Sequence, residues 1–305
     1  MSDCNNTSEY LRDLIARKKE YLALETDEKM TWCGGCGNYA IQNSLKRALA
    51  LEGFGVRDIV LFFDIGCNGN ASDKFHAYTF HGLHGRVIPV AAGAALANRR
   101  VKAIAFGGDG AIMSEGVNHL VHAVRSDYPM LFILHNNQNY GLTTGQASST
   151  TRKGCAMNGS PDGVLLEPMN PSEFVLSLHP TFVARTFSGD AKHMTSILRQ
   201  ALKHKGFAFI EVMQACPTYN KSTPNEWFWE KVVYTEDMKD YDVTDIWAVK
   251  KAAHDIYEKM VLGILYRDES RENFYDKLPS RVGVKTSPVE EVAHYDITGL
   301  MKKFE

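Results

Sequence analysis

The sequence has almost no excess of either charge: 34 Lys and Arg stand against 36 Asp and Glu, a formal net charge of -2 over 305 residues. Nothing electrostatic therefore draws the chain to nucleic acid or to an anionic membrane. Long apolar runs are also missing. IVLFF, residues 59–63, is among the longest, far below the ~20 residues that a membrane-spanning helix needs. The opening MSDCNNTSEY has no cationic stretch followed by an apolar core, so no signal peptide is expected and a cytoplasmic location is. On that reading the sequon-like Asn5, Asn70 and Asn158 are incidental. There is no internal repeat, no low-complexity linker, no G-x-G-x-x-G and no second CxxC after Cys33 and Cys36. What remains is a chain that is 44% hydrophobic and 23% charged, the profile of a soluble globular enzyme or subunit. Its length supports a substantial core. Six cysteines without a secretory signal point to a reducing compartment and to thiol or metal chemistry.

Hydrophobic patterning supplies the fold class. DIVLFFDIG (58–66), VKAIAFGGDG (101–110), MLFILHNN (130–137), FVAR (182–185) and FAFIEVMQA (207–215) are short, nearly continuous apolar runs. Such runs suit parallel strands covered on both faces. Between them lie helical stretches: YAIQNSLKRALALEG, VIPVAAGAALANRR, AIMSEGVNHLVHAVRS and a segment near 191–204. The alternation predicts an α/β, doubly wound parallel sheet with ligands outside the carboxyl ends of its strands. Residues 1–29 are expected to form an N-terminal arm and 30–220 the sheet domain. Residues 221–305 are expected to form a C-terminal extension that wraps the core or a neighbour, with a helical stretch near 245–265.

Two strands end in chemically suggestive turns. GGDG (107–110) closes one, and NNQNYGLT (136–143) closes the next. The glycines permit close backbone approach, and the following helix N-terminus offers free N–H groups to an anion. Asp109 and Asn137 are hard oxygen donors on adjacent strand ends, the arrangement that a magnesium ion shared with a diphosphate requires. An Asn 28 residues after the Asp of a GDG turn resembles the thiamine diphosphate motif. The loop FHAYTFHGLHGR (75–86) carries His76, His81 and His84. No carboxylate-bearing zinc signature accompanies them; His76 reads as a solvated loop residue, and His119 and His122 as packing or surface groups.

The cysteines form a pattern of their own. Cys33 and Cys36 share one glycine-rich turn, Cys67 ends the first strand, and Cys216 follows the last. A parallel sheet delivers its strand ends to one edge, so Cys67 and Cys216 can meet there and the 33/36 pair can join them. Four thiolates suit a 4Fe–4S cluster and equally a structural zinc. Cys4 and Cys155 fit neither pattern and read as free thiols.

WCGGCGN, IGC, FHGLHGR, AAGAALAN, GGDG, NNQNYGLTTGQ and ACPTYN occur in the order seen in beta subunits of two-subunit 2-oxoacid:ferredoxin oxidoreductases, and the chain resembles that family over roughly residues 30–220. The resemblance implies that Cys33, Cys36, Cys67 and Cys216 hold a 4Fe–4S cluster. It implies that Asp109, the Asn137 side chain and the Asn139 carbonyl hold magnesium, with Gly66, Gly108, Gly110, Gly141, Leu142 and Thr143 around thiamine diphosphate. His84 is then the functional histidine of the HGR loop, and Arg86 engages anions. The implied reaction is coenzyme A-dependent oxidative decarboxylation of a 2-oxo acid, with electrons leaving singly to ferredoxin or flavodoxin. The pyrimidine-activating glutamate is expected on an alpha subunit, because no Glu here has that context, and the chain is expected to be inactive alone. Trp227, Phe228 and Trp229 are candidates for that interface or for packing on their own core. LTTGQ in place of LTKGQ, and GCNGN in place of a cation-bearing loop, remove a cation from the expected substrate side. A monocarboxylic 2-oxo acid is the expected preference, with Lys74, His81, Arg86 or a partner's side chain able to compensate. Two other readings stay open: a non-redox thiamine decarboxylase or synthase subunit with a Cys4 zinc, and a scaffold or electron-carrying subunit.

Overall fold

A computed structural model describes residues 10–293 and 295–304; Cys4 and Asn5 lie outside the described residues. Eight strands form one sheet in the order β2-β1-β3-β4-β6-β5-β8-β7. They are β1 (Ile59–Phe63), β2 (Tyr78–His81), β3 (Lys102–Gly108), β4 (Leu131–Asn136), β5 (Phe182–Phe187), β6 (Ala208–Met213), β7 (Val232–Tyr234) and β8 (Met260–Arg267). The first six pair in parallel. The helices that matter below are α1 (Lys18–Ala23), α2 (Asn38–Leu51), α3 (Val87–Ala97), α4 (Val117–Ser126), α5 (Pro171–Leu176), α6 (Ala191–Lys203), α7 (Asn225–Trp229) and α8 (Ile246–His254).

Successive strand side chains point to opposite faces, so each central strand feeds two cores. Leu61, Phe63, Ile104, Phe106, Ile133 and Ile210 pack under α2 and α6 with Leu45, Leu49 and Leu198. Phe62, Ala103, Ala105, Phe132 and Leu134 pack on the other side with Val87, Ala91, Leu120 and Val124 of α3 and α4. With both faces covered, β3 to β6 are buried nearly throughout. That is why their sequences read as continuous apolar runs rather than alternating ones.

The chain leaves β1 toward β2 on one side and reaches β3 on the other. The carboxyl ends of β1 and β3 therefore flank a topological switch point, where open α/β sheets bind their ligands. Gly66 and Cys67 follow β1, and Asp109 follows β3.

Three expectations need correction. The FHAYTFHGLHGR segment is not all loop: Tyr78–His81 is the edge strand β2, parallel to β1. All four of its residues are exposed, so it lacks the buried pattern that marks the other strands. The single helix expected over AIMSEGVNHLVHAVRS is broken. A wide helical turn covers Ala111–Glu115, and α4 begins at Val117. Gly116 sits at the break because it passes the loop before α3, where a Cβ would lie 2.7 Å from the Gly85 carbonyl oxygen. The helical stretch expected near 245–265 ends at His254, and Met260–Arg267 is strand β8. Its apolar MVLGILYR pairs antiparallel with β5, so the segment after 220 extends the sheet of 30–220. Phe228 is fully buried beside Phe187, with Trp227 packed against the same cluster.

At the other end of the chain, Leu24 is buried and the Lys46 ammonium, itself fully buried, meets Glu25 at 2.6 Å. Residues 18–25 of the arm thus pack on the sheet domain. His76 is exposed, in line with the solvated reading, and its Nδ1–H donates to the Ala23 carbonyl of this arm at 3.0 Å.

Candidate active site

Two cavities open side by side at the carboxyl edge of the sheet. The first, with an empty volume of ≈ 540 Å³ including its mouth, is lined by Gly66, Cys67, His84, Gly108, Asp109, Gly110, Asn137, Asn139, Gly141, Leu142 and Thr143. The second, ≈ 580 Å³, is lined by Cys33, Cys36, Cys67 and Cys216. They share Cys67, Asn137, Gly141 and Leu142 as a common wall. Every residue that the motifs singled out for cofactor or cluster binding lines one cavity or both. Among the described residues, no lysine or arginine lines either cavity.

Asp109 follows β3, and one oxygen of its carboxylate is held by protein hydroxyls. Its Oδ2 accepts hydrogen bonds from Ser148 Oγ and Thr150 Oγ1, each at 2.5 Å. Burial pushes its carboxyl up to about 6, against the opposing pull of these hydroxyls and of the Asn137 N–H. Asn137 Oδ1 accepts the Asn139 N–H at 3.1 Å, which tightens the turn between the two expected oxygen donors. Gln138, between them, has φ 58, a left-handed conformation rare for a side-chain-bearing residue. Both side-chain polar atoms of Asn139 are buried without a partner.

His135, one residue before the Asn pair, was not singled out from sequence, yet it lines the cleft. Its Nδ1 lies 2.9 Å from Asn38 Oδ1, which also accepts from Gln214 Nε2 at 3.0 Å. Burial holds His135 neutral, at about 3, so Nδ1–H donates to Asn38 and Nε2 is left as an unpartnered acceptor. The available signal was a polar residue inside an apolar strand end, LHNN. Asn38 and Asn68 also line the cleft and were visible inside quoted motifs without a role. Ser148 and Thr150, in the run ASSTT, carried no sequence signal.

His84 is in the cleft, with Nδ1 3.1 Å from Glu115 Oε2 and 3.8 Å from Asp64 Oδ1. Asp64 is buried and accepts the Gly85 N–H on both oxygens, at 2.9 and 3.0 Å. It fixes the HGR loop, and burial raises its carboxyl above the usual range. Arg86 differs from expectation. Its Nη1 donates to the Glu115 carbonyl at 2.9 Å and lies 3.0 Å from His119 Nε2, and it does not line the cleft. Standing just before α3, its side chain is turned onto the backbone of the Ala111–Glu115 turn. His119 is thus held by Arg86.

The cysteine cavity is assembled from four places in the chain. Trp32 Nε1 donates to the Cys67 carbonyl at 2.6 Å, fastening the CxxC turn to the end of β1. Gln214 Nε2 reaches Cys36 Sγ at 3.6 Å from the end of β6. Asn220 bonds back to Cys216 through its N–H and to the Asn137 carbonyl through Nδ2, at 3.2 and 3.1 Å. A Cβ at Gly141 would lie 3.1 Å from Cys67 Sγ; glycine lets the wall be one backbone thick. All four thiols are free. Burial and the neighbouring cysteines push the Cys67 thiol up to about 12, and burial raises Cys36 as well. Cys155 lies apart, buried and 3.6 Å from Ser222 Oγ. Among the described residues, no three His, Cys, Asp or Glu side chains converge closely enough to hold a single metal ion, and no helix is long and apolar enough to cross a membrane.

A strand-end Asp–Asn pair in a cleft at the sheet's switch point defines a thiamine diphosphate-binding domain. The family described as "Thiamine pyrophosphate enzyme, C-terminal TPP binding domain" matches residues 64–212, and the family of the C-terminal part of the pyruvate ferredoxin oxidoreductase beta subunit matches 216–281. The chain is 36% identical over 260 residues to the 2-oxoacid:ferredoxin oxidoreductase subunit beta of a Sulfolobus species, covering 85% of this chain and 82% of that one. It is 38% identical over 195 residues to the 2-oxoglutarate oxidoreductase subunit KorB of Mycobacterium tuberculosis, covering 64% and 52%. A solved structure of the 2-oxoglutarate:ferredoxin oxidoreductase from Magnetococcus marinus, with 2-oxoglutarate, coenzyme A and succinyl-CoA bound, superposes with a TM-score of 0.83. It is 29% identical and is covered to 96%, against 94% of this chain. The chain belongs to the beta-subunit family of 2-oxoacid:ferredoxin oxidoreductases. The likeness extends past residue 220, where the sequence motifs stopped, because the C-terminal segment carries a family match of its own.

Proposed function

We propose that this subunit binds magnesium thiamine diphosphate in the Asp109 cleft and a 4Fe–4S cluster among Cys33, Cys36, Cys67 and Cys216. With an alpha subunit it would convert a 2-oxo acid and coenzyme A into acyl-CoA and carbon dioxide, passing two electrons to ferredoxin or flavodoxin. The observation that carries this reading is the wall shared by the two cavities. When bound, thiamine diphosphate supplies the carbon nucleophile and electron sink for decarboxylation, and an iron–sulfur cluster takes up electrons singly.

The residues fit these groups. A diphosphate in a cleft without lysine or arginine needs a cation, and among the described residues Asp109 is the only carboxylate lining it. Asp109, Asn137 Oδ1 and the Asn139 carbonyl are the hard donors offered to magnesium. Gly66, Gly108, Gly110 and the Gly141–Thr143 stretch allow close approach of the rest. In the second cavity burial, with a smaller push from neighbouring cysteines, raises the Cys67 and Cys36 thiols, so holding those two as thiolates calls for a strongly cationic guest. Four sulfurs ringing a cavity suit a polynuclear guest better than the single point of a tetrahedral zinc.

His84 is the proton-carrying group at the cleft mouth in this proposal. Its Nδ1 lies 3.1 Å from Glu115 Oε2 and 3.8 Å from Asp64 Oδ1 without a hydrogen bond to either, which leaves the ring available to substrate. Lys74 is paired with Asp73 at 2.9 Å, and Arg86 is held by Glu115 and His119. A distal substrate carboxylate would therefore find no cation from the described residues of this chain in either cavity.

The test is anaerobic purification of the full chain with and without a co-expressed alpha subunit. Iron, acid-labile sulfide and bound thiamine diphosphate should be present, and 2-oxoacid- and coenzyme A-dependent dye reduction should require both chains. Stoichiometric zinc without sulfide, or full turnover by this chain alone, would overturn the reading.

A further inference from the structure

Gly37, which follows Cys36, lines neither cavity, yet it has no room for a side chain. A Cβ there would lie 2.5 Å from Gln214 Cγ and 2.6 Å from Ser188 Oγ. The glycine thus lets the stem of Gln214 cross the CxxC turn. Gln214 is itself buried, one residue beyond β6, with its backbone N–H held by the Asn136 carbonyl at 2.9 Å. Its amide nitrogen lies between two acceptors, Cys36 Sγ at 3.6 Å and Asn38 Oδ1 at 3.0 Å. An amide nitrogen carries two hydrogens, so both bonds are made at once. Asn38 Oδ1 has two lone pairs and takes its other bond from His135 Nδ1–H at 2.9 Å. Gln214 Oε1 is buried without a partner, so the side chain is bonded only as a donor. Among the described residues, no other of the four cavity thiols has a side-chain hydrogen-bond partner.

We propose that Gln214 sets the reduction potential of the cluster by donating an amide N–H to the Cys36 sulfur. The inference rests on the cluster assignment proposed above. A sulfur bound to iron as thiolate carries no proton and can only accept, so it calls for the nitrogen of the amide and not the oxygen. Asn38, braced by His135, keeps that nitrogen turned inward: a rotated amide would set Oε1 against both the Asn38 oxygen and the sulfur lone pairs. Reduction adds one electron to the iron–sulfur unit, and a fixed N–H dipole at one of its sulfurs stabilises the added negative charge. Hydrogen bonds to the sulfurs are among the factors that set such potentials. The bond raises the potential, which favours electron uptake from the neighbouring cleft.

The experiment uses the full chain, co-expressed with its alpha subunit and purified anaerobically. The cluster is reduced stepwise through redox mediators, and the reduced form is read by electron paramagnetic resonance. Iron per chain and melting temperature are measured alongside. Gln214→Met keeps the length of the side chain and removes both N–H groups. At a fixed applied potential its ratio of reduced to oxidised cluster should fall about tenfold, a shift of about 59 mV to lower potential for one electron. A second arm needs no variant. The unmodified protein is prepared with glutamine carrying ¹⁵N in its side-chain amide, and the reduced cluster is examined by pulsed electron–nuclear double resonance. Gln214 is the only glutamine lining the cysteine cavity among the described residues, so a ¹⁵N coupling is expected and reports its bond. An iron-replete Gln214→Met with a ratio within about twofold of the unmodified protein would overturn the proposal, whatever its melting temperature. Should the variant lose its cluster, the label decides: absence of ¹⁵N coupling in the unmodified protein would overturn the proposal as well. Zinc in place of iron in the unmodified protein would overturn the cluster assignment, and this inference with it.

Discussion

Asp109 is gripped by two hydroxyls at 2.5 Å, whereas across the shared wall the Cys67 thiol is raised by burial first and by three other cysteines second. Around Asp109, protein donors and acceptors hold one another in place, while Asn139 and His135 Nε2 elsewhere in the cleft have no partner. The cysteine cavity is instead set by backbone fastenings from outside, such as Trp32 to the Cys67 carbonyl, while its sulfurs have poor protein partners. The difference teaches which cavity depends on its guest. Asp109 has its hydroxyl partners without a guest, whereas Cys67, its thiol raised chiefly by burial, needs a cation beside it to ionise readily.

Asp109→Ala is the largest way to break the comparison. It takes the only carboxylate that the described residues give the cleft. Cofactor affinity measured by calorimetry with Mg²⁺ should fall roughly hundredfold or more, on the scale of a charged hydrogen-bonding group lost. Unchanged affinity would show that the GDG turn is not the cation site. Cys67→Ala should remove most iron and visible absorbance while the melting temperature of the cofactor-free protein moves little, because a crowded thiol is replaced by a small apolar group. Cys155→Ser, outside the cavity, should leave iron per chain unchanged, and iron loss there would mean that the ligand set is misread.

Alkaline titration sharpens the contrast further. The folded Cys67 thiol is raised to about 12 from an ordinary 9. Its contribution to stability is therefore complete below about pH 9 and is lost as pH rises toward 12. In cluster-free protein the loss at pH 10 should be about 1 kcal/mol, visible in denaturant midpoints. Protein with its cluster intact should lose none of it, since its thiols are already ionised. The smallest effect expected is in substrate choice: kcat/KM should favour pyruvate over 2-oxoglutarate modestly. The reverse order would mean that a partner's cation reaches the substrate.

The sequence revealed most where burial imposes a pattern. The five central strands stood out because both of their faces are covered, and the ligand-bearing turns because glycine clusters interrupt those runs. Edge strand β2 was hidden, since four exposed residues leave no periodicity to read. Strand β8 was misread as helix because apolar MVLGILYR follows a true helix without a turn signal between them. Within the site, Cys33, Cys36, Cys67, Cys216, Asp109 and Asn137 were legible as residue types with a metal's spacing. Ser148, Thr150 and Asp64 were not, because their part is to hold other residues and depends on a fold that brings distant segments together. Arg86 stands apart from them: it is exposed, and its Nη1 meets the Glu115 carbonyl and His119 outside the cleft lining.

The exposed edge at β2 has a consequence for how the cell handles this chain. Tyr78 is 64% and Phe80 46% exposed, with Leu83 just beyond, on a strand with no neighbour on its outer side among the described residues. A bare edge of this kind is a template for pairing with any other extended chain. At four residues the strand is short enough to limit such pairing, so its exposed aromatic side chains matter more for self-association than its backbone.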